Sequence, residues 1–412
     1  MRIGLITDRY LPEARAAAYH TSLLAEGWAR KGHQVTVFTR RPSNFVPCGQ
    51  ESEGRPEDVE VHRVPCLTAS LSFWARLADQ AAVMIGLFFA LMGAPRPDAY
   101  YVLSPPLLLT LPVALASLIR RVPFLLNLHD LYPQAAIDLG VLHNRFLIGA
   151  ARMLESFVYK RAARILVAAP ASVRVLRERN GVPNEKLGLL WNFVETVDAA
   201  SADGARFRGA LGEDPRFLIL YAGQMGPAQD IDLMLDTAAR AATEYPEWRF
   251  VLIGDGPRAA EWRARAAKLP NVRMLPFLGT RDYFDALAGC DVALACLSSI
   301  YLAPAIPGKI QTIMASGNPV LASAPPENDT HRLLRETSAG FSVAAGDLAA
   351  FYLGLQTLYC SRELRQRMGQ KGAQYARSHF SAAGAVDQTV RVLSAVVADV
   401  SRSAAPCTLS SS

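Results

Sequence analysis

One stretch of the sequence carries a clear succession of local structure signals: Ala303-Pro-Ala-Ile-Pro-Gly-Lys-Ile-Gln-Thr-Ile-Met-Ala-Ser-Gly-Asn-Pro-Val-Leu-Ala-Ser323. Pro307 and Gly308 open a short helix, and Gly317 ends it before an apolar strand over 319–323. The preceding apolar run, 292–296, predicts a strand on the other side of this helix. A strand, a helix and a second strand at this spacing predict a βαβ unit, in which the two strands are parallel.

Strand and helix patterns alternate in the same way along the rest of the chain. In the first half, strands are predicted over 3–7, 34–39, 99–103, 123–128 and 163–168, and helices over 19–31, 72–92, 107–120 and 144–161. In the second half, strands are predicted over 217–221, 249–253, 272–275, 292–296 and 319–323, and helices over 230–244, 257–268, 281–289, 309–316, 328–337, 347–359, 361–378 and 382–400. This alternation predicts an α/β protein with two doubly wound, Rossmann-like parallel-sheet domains.

The domain boundaries follow from where the pattern weakens. The chain has 412 residues, which is more than one hydrophobic core normally organises. Residues 195–210 are rich in small and polar residues and predict a linker between domains of residues 1–195 and 205–378. The Ser-rich tail, 401–412, predicts disorder.

The charge and composition bound the partners and the location. Residues 1–195 hold 22 Lys and Arg against 16 Asp and Glu, which accounts for the whole net charge of +6. Such a surface suits a membrane or a phosphorylated substrate, or is an ordinary solvated surface. Basic runs are no longer than a dipeptide and no nucleic-acid motif occurs, so nucleic acid is not expected. The six Cys form no CxxC pair and no signal-peptide pattern opens the chain, which predicts a cytoplasmic protein.

Two apolar segments allow more than one interpretation. Residues 99–119 lack charge over a length that would just span a bilayer, but three prolines and the βαβ pattern favour a strand followed by a helix. Residues 71–93 are apolar on more than one helical face, so this segment either lies in the core or enters a membrane interface. Phe88 and Phe89 belong to it.

Ligands of open α/β sheets bind beyond the carboxyl ends of the strands, so the loops there hold the candidate residues. In the first domain, Ala16 and Ala17 are small enough for a ligand to approach the backbone. His129 and Asp130 leave a predicted strand together. The absence of a GxGxxG sequence argues against a dinucleotide-dependent dehydrogenase.

In the second domain, Gly223-Gln-Met-Gly226 and Gly254-Asp-Gly256 follow two successive strands, which suggests that backbone approaches a phosphate or a base. Lys309 lies in the first turn of a helix, where the helix dipole disfavours a cation. A lysine beside free backbone N–H groups is well suited to bind a diphosphate. A surface lysine packed along the helix is the alternative.

Several motifs, in this order and at this spacing, resemble one family: Tyr10-Leu-Pro-Glu13, Gly32-His-Gln-Val-Thr-Val-Phe-Thr39, Ser104-Pro-Pro-Leu-Leu-Leu109, His129-Asp-Leu-Tyr-Pro133, Leu139-Gly-Val-Leu142, Trp191-Asn192, Tyr221-Ala-Gly-Gln-Met-Gly226, Gly254-Asp-Gly-Pro257, Pro307-Gly-Lys309 and Met314-Ala-Ser-Gly-Asn-Pro-Val320. The chain resembles the retaining glycosyltransferases of family 4, which have the GT-B fold. It is most similar to the bacterial branch that builds lipopolysaccharide, capsule or exopolysaccharide, which includes the N-acetylfucosamine transferases of O-antigen synthesis.

The resemblance implies a nucleotide-sugar donor held by the second domain and an acceptor held by the first, with the two domains facing across a cleft. It also implies that the last helix, 382–400, crosses back onto the first domain. UDP is the expected nucleotide. The expected acceptor is a polyprenyl-diphosphate-linked sugar, bound by a peripheral protein at the inner leaflet of the membrane.

The resemblance assigns Lys309 to the donor diphosphate, His129 to the donor sugar and the loop at 275–278 to the base. The candidate catalytic residues are His129, Asp130 and Lys309. The candidate substrate-binding residues are Arg15, Ala16, Ala17, Gly223, Gln224, Gly254, Asp255, Gly256, Phe277, Leu278, Ile306, Pro307, Gly308 and Thr312.

The chain departs from the family pattern at four positions. Pro304 and Thr312 stand where the family has a pair of Glu, and a Thr hydroxyl cannot replace a bidentate carboxylate. The Gly expected in the first loop is replaced near Arg15, and Pro227 stands where a basic residue is common. The loss of that basic residue leaves more of the diphosphate charge to Lys309, with Arg15 as a candidate to compensate.

The expected chemistry needs no metal or other cofactor. Lys309 and backbone N–H groups stabilise a departing diphosphate, and no DxD-type pair stands at a strand exit of the second domain. Two alternatives stay open. A nucleotide-sugar 2-epimerase of the same architecture would use Asp130, Glu13 or Asp255 as acid and base. A scaffold without activity would explain Pro304 and Thr312.

Overall fold

The computed structural model describes residues 1–13, 16–42, 59–66, 73–138, 140–195, 201–212, 217–302 and 304–404. The chain divides into two compact units. Unit 1 comprises residues 1–133, 143–190 and those from 383 onward, and unit 2 comprises residues 134–142 and 191–382. The main division, between 190 and 191, places Trp191 and Asn192 with the second unit.

Strands and helices alternate along the described chain, in agreement with the apolar runs of the sequence. The strands are β1 (Arg2–Ile6), β2 (Gln34–Arg40), β3 (Val59–Val64), β4 (Ala99–Ser104), β5 (Phe124–Leu128), β6 (Arg164–Val167), β7 (Leu187–Leu189), β8 (Phe217–Ala222), β9 (Trp248–Ile253), β10 (Val272–Leu275), β11 (Val292–Cys296), β12 (Val320–Ala324) and β13 (Gly340–Ala344). The helices are α1 (Ala16–Arg30), α2 (Phe73–Gly93), α3 (Thr110–Arg120), α4 (Gln134–Asp138), α5 (Arg145–Arg161), α6 (Pro170–Glu178), α7 (Gly204–Ala210), α8 (Ile231–Glu244), α9 (Ala259–Ala266), α10 (Thr280–Gly289), α11 (Gly308–Ala315), α12 (Asp329–Thr337), α13 (Leu348–Cys360), α14 (Arg362–His379) and α15 (Ala382–Ala404).

Unit 1 is built on a parallel sheet with the order β3-β2-β1-β4-β5-β6-β7 among the described strands. The strand order reverses between β1 and β4, so the loops after these strands flank the crevice where such sheets bind ligands. The central strands β4 and β5 are buried along their whole length. Helices α2, α3 and α5 bury apolar side chains on one face of the sheet.

The other face of this sheet is covered by α1 and α15. The Trp28 ring of α1 lies 5.2 Å from the Tyr101 ring of β4, centroid to centroid. The Trp28 Nε1–H donates to Thr389 Oγ1 of α15 over 2.9 Å. A Cβ at Gly27 would lie 2.3 Å from a Val386 methyl, so α1 and α15 approach each other closely at this point. The last helix therefore packs within unit 1.

Unit 2 has a second parallel sheet, with the order β10-β9-β8-β11-β12-β13 among the described strands. Its order reverses between β8 and β11, which defines the corresponding crevice. Helices α8, α9 and α13 bury a large apolar cluster against one face of the sheet. The two sheets confirm the α/β class and the two Rossmann-like domains that the sequence predicts.

Several elements were not predicted from the sequence, and three of them are edge strands. Among the described strands, β3, β7 and β13 each pair with a single neighbour. Val64 is the one buried residue of β3, and neither β7 nor β13 has a fully buried residue. Because edge strands bury less surface, polar residues interrupt their apolar pattern. The helices α4 and α6 were also not predicted.

The predicted linker and tail are partly wrong. Residues 204–210 form α7, which packs on α10. The Asp285 carboxylate of α10 accepts the Asp203 backbone N–H over 2.6 Å and the Arg206 Nε–H over 2.6 Å, which explains a helix in a segment of low apolar content. Residues 196–200 lie outside the described residues. The last helix continues to Ala404 instead of ending at 400, and 405–412 lie outside the described residues.

The structure shows which elements form from the two apolar segments, 99–119 and 71–93. Residues 99–119 form β4, a 3-10 turn at Leu107–Leu109 and most of α3, not one long helix. In α2, Val83, Leu87 and Leu91 are buried, whereas Phe89 is exposed, so this helix has both a core face and an outward apolar face. Among the described helices, none has the length and apolar character that a membrane crossing requires.

Candidate functional site

Lys309 lies at the strand reversal of the second sheet. Its Nζ lies 3.6 Å from the centroid of the Tyr221 ring, which β8 supplies, and Cys296 at the end of β11 is close enough to affect its charge. The Nζ is buried and has no hydrogen-bond partner among the described residues. Burial lowers the pKa of Lys309 to about 7, although the Cys296 sulfur opposes this shift.

The backbone around Lys309 leaves room for this side chain and for a ligand. A Cβ at Gly223 would lie 2.8 Å from Lys309 Nζ, and the backbone there has a φ of +149°, a conformation that favours glycine. Lys309 belongs to the first turn of α11, whose N-terminus carries no side-chain cap among the described residues. The Ile310 N–H of that turn donates to the Pro307 carbonyl over 2.9 Å, and the N–H groups that precede it at the helix N-terminus attract anions. The amide of Asn192 faces the same turn, since a Cβ at Gly308 would lie 3.2 Å from Asn192 Nδ2.

Asn192 and Ser323 are polar groups that the sequence analysis did not place in the site. Both side chains are buried. Asn192 Oδ1 and Ser323 Oγ have no hydrogen-bond partner within the described residues. Ser323 lies near the carboxyl end of β12, paired with Cys296 of β11. Buried polar atoms of this kind are rare in proteins, and a bound ligand is one way to satisfy them.

Thr312 follows Lys309 by three residues and is hydrogen-bonded to the Tyr283 side chain of α10. Burial raises the pKa of Tyr283, which keeps this phenol protonated. Pro304 is half-buried and brings no hydrogen-bonding side chain. The carboxylate pair of the family therefore has no direct substitute, but Tyr283 and Thr312 together offer hydroxyls in the neighbourhood of α11.

The loops after β8 and β9 pack on each other. The Met225 N–H donates to the Asp255 carbonyl over 2.8 Å. A Cβ at Gly256 would lie 1.6 Å from the Met225 carbonyl oxygen. A Cβ at Gly254 would lie 1.9 Å from the Gly223 oxygen. Packing between the loops therefore requires these two glycines. The sequence suggested a different reason, the approach of a ligand to the backbone, and that contact stays a prediction.

The remaining candidates of unit 2 surround this loop pair. Gln224 is exposed, and its backbone carbonyl accepts the Tyr221 hydroxyl over 2.6 Å. The Asp255 side chain is exposed and pairs with Arg263 over 3.2 Å. Phe277 is 55% exposed after β10, and Leu278 is half-buried. Ile306 is buried and Pro307 precedes α11. An exposed aromatic ring at a strand end suits stacking on a base.

In unit 1, His129 follows β5 at the corresponding crevice. Its backbone N–H donates to the Ser104 carbonyl over 2.9 Å. Asn127 Nδ2 donates to the Tyr101 hydroxyl over 2.6 Å and lies 3.3 Å from His129 Nε2. An amide nitrogen can only donate, so this contact fits the neutral tautomer with the proton on Nδ1. Burial lowers the pKa of His129 to about 4, so the ring is neutral at pH 7.

Two further buried polar atoms lie near His129. Ser104 Oγ and Asn127 Oδ1 have no hydrogen-bond partner in the described part of the chain. The His20 ring of α1 is centred 5.6 Å from the His129 ring. Asp130 is half-buried, and its charge, together with burial of the phenol, raises the pKa of Tyr132. These groups form a polar site that could hydrogen-bond to sugar hydroxyls.

The first loop of unit 1 is held by ion pairs. Arg9 Nη1 contacts both carboxylate oxygens of Glu13, over 2.8 and 2.9 Å, and Arg9 Nε contacts Asp8 over 3.0 Å. This pairing gives Glu13 a structural role, and it does not support Glu13 as an acid or base. Ala17 is half-buried in the first turn of α1, which begins at Ala16. Arg15 lies outside the described residues.

The structure thus brings Lys309, Gly223, Gly308 and Thr312 together in unit 2, with Asn192 beside them. It places His129 and Asp130 in unit 1, next to Asn127. No group of three or more His, Cys, Asp or Glu that could hold a metal ion occurs among the described residues. Asn192 stands in the Trp191-Asn192 motif of the family resemblance, which was the available signal for it, whereas Asn127 lies two residues before the motif that begins at His129.

Comparison with known proteins matches each half of the chain to a domain family. Residues 15–192 match the glycosyl transferase 4-like domain. Residues 216–361 match the glycosyl transferases group 1 domain. Together these two matches cover most of both units.

Individual relatives are distant in sequence. WbjE of Pseudomonas aeruginosa, named as a glycosyltransferase, is 25% identical over 62% of this chain, which spans 65% of the length of WbjE. WcaI of Escherichia coli (strain K12), named as a colanic acid biosynthesis glycosyl transferase, is 24% identical over 83% of this chain and 88% of its own. The crystal structure of Anabaena Alr3699/HepE in complex with UDP-glucose covers 96% of this chain and 100% of that one, with 17% identity and a TM-score of 0.72. This likeness shows the fold.

Proposed function

We propose that the protein transfers a sugar from a nucleotide-sugar donor. Both halves of the chain match glycosyltransferase domains, the first the glycosyl transferase 4-like domain and the second the group 1 domain. The donor is a UDP-hexose or UDP-hexosamine, and transfer retains the configuration of the sugar. The acceptor is a polyprenyl-diphosphate-linked sugar at the inner face of the cell membrane, in cell-surface polysaccharide synthesis. The UDP-glucose complex of HepE and the name of WcaI support this choice.

The observation that carries the proposal is the environment of Lys309. Its buried Nζ lacks a hydrogen-bond partner among the described residues, and it lies in the first turn of α11, whose N-terminus is uncapped there. A diphosphate supplies the negative charge and the acceptor oxygens that this arrangement lacks. A structural lysine in an apolar core would instead be paired or exposed.

In the proposed reaction, an acceptor hydroxyl oxygen attacks the anomeric carbon on the face that the diphosphate leaves. The bond from that carbon to the diphosphate oxygen breaks, and the same oxygen accepts the hydroxyl proton. Lys309 and the N–H groups of α11 stabilise the charge on the departing UDP. His129 is neutral, so it binds a sugar hydroxyl by hydrogen bonding and does not neutralise charge. Asp130 contributes to the same site.

A thermal-shift titration tests the donor site. UDP is added to the full chain, with GDP, ADP and NAD as competing candidates. A ligand that binds only the folded state, at about 100 times its Kd, adds about 2.7 kcal/mol to the free energy of unfolding. We expect a clear rise in Tm with UDP and little or none with the other nucleotides.

The comparison variant is Lys309→Ala, and the matched control is Lys371→Ala, because Lys371 is exposed on α14. We expect the UDP shift to fall strongly in Lys309→Ala and to persist in Lys371→Ala. A wild-type protein that responds to none of the four nucleotides would contradict the proposal and favour the scaffold. An unchanged UDP shift in Lys309→Ala would remove Lys309 from the donor site.

A further inference from the structure

Unit 1 exposes large apolar side chains at helical spacing on three helices. On α5, Phe146 is 84% exposed and Met153 is 70% exposed, and Phe157 is exposed one turn further on. Separations of seven and four residues place these three side chains on one stripe of the helix. The corresponding exposed residues are Leu115, Leu118 and Ile119 on α3, and Ile85 and Phe89 on α2. We call these eight residues the apolar face.

The three helices are neighbours that cover the same face of the sheet. α2 packs on α3, and α3 packs on α5. Each helix already buries its other side, through Val83 and Leu87 on α2, Val113 on α3 and Val158 on α5. The apolar face is therefore additional to the hydrophobic core. Soluble proteins rarely expose a large group of apolar side chains unless it contacts a partner.

The charges around the apolar face have one sign. Among the described side chains of α2, α3 and α5, the exposed charged ones are all basic: Arg145, Arg152, Lys160 and Arg161. The two acidic side chains of these helices are withdrawn. Glu155 is buried, and Asp79 pairs with Arg40 over 3.5 Å. An outward surface of apolar and basic residues fits an anionic, amphiphilic partner.

We propose that the apolar face docks on an anionic lipid bilayer, with its apolar side chains at the boundary between headgroups and acyl chains. The basic residues of α5 would then contact the lipid phosphates. This inference deepens the membrane location in the proposed function and rests on it. A second copy of the chain fits less well, because pairing two such faces would bring the same basic residues of α5 together.

Co-sedimentation of the full chain with lipid vesicles tests the surface. The vesicles contain phosphatidylcholine alone or with 30% phosphatidylglycerol. One variant carries Phe146→Ser, Met153→Ser and Phe157→Ser, and a second carries Arg145→Gln, Arg152→Gln and Lys160→Gln. The matched control is Leu353→Ser, since Leu353 is similarly exposed on α13 of unit 2. The UDP-induced Tm shift of each variant reports folding and the donor site separately.

We expect the wild type and Leu353→Ser to bind vesicles only when phosphatidylglycerol is present. The basic variant should lose about fivefold in partition for each charge, or about a hundredfold in total. The apolar variant should lose at least tenfold. Binding by both variants at the wild-type level would overturn the inference. An unchanged UDP-induced Tm shift in the same variants would show that this failure does not concern the proposed donor site. The inference would also be overturned if the variants changed only the self-association of the chain, measured by sedimentation velocity. The apolar face would then be a contact between copies of the chain.

Discussion

At the scale of single residues, Lys309, the proposed diphosphate ligand, has an environment that should lower stability until a ligand is present. Its Nζ is buried beside the Tyr221 ring, without a hydrogen-bond partner among the described residues. A desolvated ammonium favours the unfolded state, because water solvates it there. The cation–π contact with Tyr221 offsets only part of this cost. A diphosphate in the site would restore the missing interactions.

We therefore predict that Lys309→Met stabilises the protein in the absence of nucleotide. The pKa of Lys309 is lowered from 10.5 to about 7 in the folded state. Below pH 7 the lysine is charged in both states, so the gain is largest there, about 1–3 kcal/mol. Between pH 7 and 10.5 the unfolded state binds more protons, so the wild type gains stability as the pH rises and the difference shrinks.

Denaturant unfolding of both proteins from pH 6 to pH 10 measures this difference. Lys268→Met is the control, because Lys268 is exposed in unit 2 and its substitution should change stability little at any pH. A Lys309→Met protein that is less stable than the wild type at pH 6 would show that the lysine has a stabilising partner in the folded state. Its role as a preformed diphosphate ligand would then lose its physical basis.

At the scale of elements, the packing of two loops holds Gly223, which lies beside Lys309, in place. Gly223 lies beside the Lys309 side chain. A Cβ at Gly254 would lie only 1.9 Å from the Gly223 carbonyl oxygen. Gly256 meets the Met225 carbonyl in the same way. The loop after β9 thus supports the loop after β8, which in turn contacts the lysine. Substitution in the second loop should affect the site indirectly.

We predict that Gly256→Ala destabilises the protein by about 1–3 kcal/mol, because its Cβ would overlap the Met225 carbonyl and separate the loops. The control is Gly209→Ala in α7, where a Cβ would meet no atom within 4 Å and Ala favours the helix. Urea unfolding compares the two variants with the wild type. Equal stability of Gly256→Ala and the wild type would mean that the loops do not need their close approach.

The sequence was sufficient for the elements that are buried on both sides. Strands such as β4, β8 and β11 are continuous apolar runs, because helices cover both faces of a parallel sheet. The edge strands β3 and β13 were missed because each pairs with a single neighbour among the described strands, and polar residues interrupt the apolar pattern of such strands. For the candidate site, the sequence singled out Lys309 by its unfavourable place in a helix, and its role as a diphosphate ligand stays a prediction. The sequence indicated Asn192 only through the Trp191-Asn192 motif, because its unsatisfied amide depends on neighbours far away in the sequence.

At the scale of the whole molecule, the two proposed binding sites lie in different compact units. Lys309 and its surroundings lie in unit 2, and the apolar face lies in unit 1. The excess positive charge of the sequence also lies in residues 1–195, where α5 exposes four basic side chains. Substitutions at sites that share no partners usually have additive effects. Nucleotide binding and vesicle binding should therefore be separable by mutation.

We predict that nucleotide binding and vesicle binding can each be removed by mutation without loss of the other. Lys309→Ala should lose the UDP-induced Tm shift and bind anionic vesicles as the wild type does. The Phe146→Ser, Met153→Ser, Phe157→Ser variant should lose vesicle binding and keep the UDP shift. Isothermal titration of UDP, with and without vesicles, compares the Kd values directly. Equal Kd values in the wild type support independent sites, because any preference of lipid for one state of the donor site would change the UDP affinity reciprocally. A tenfold difference would contradict independence and require about 1.4 kcal/mol of coupling between the units.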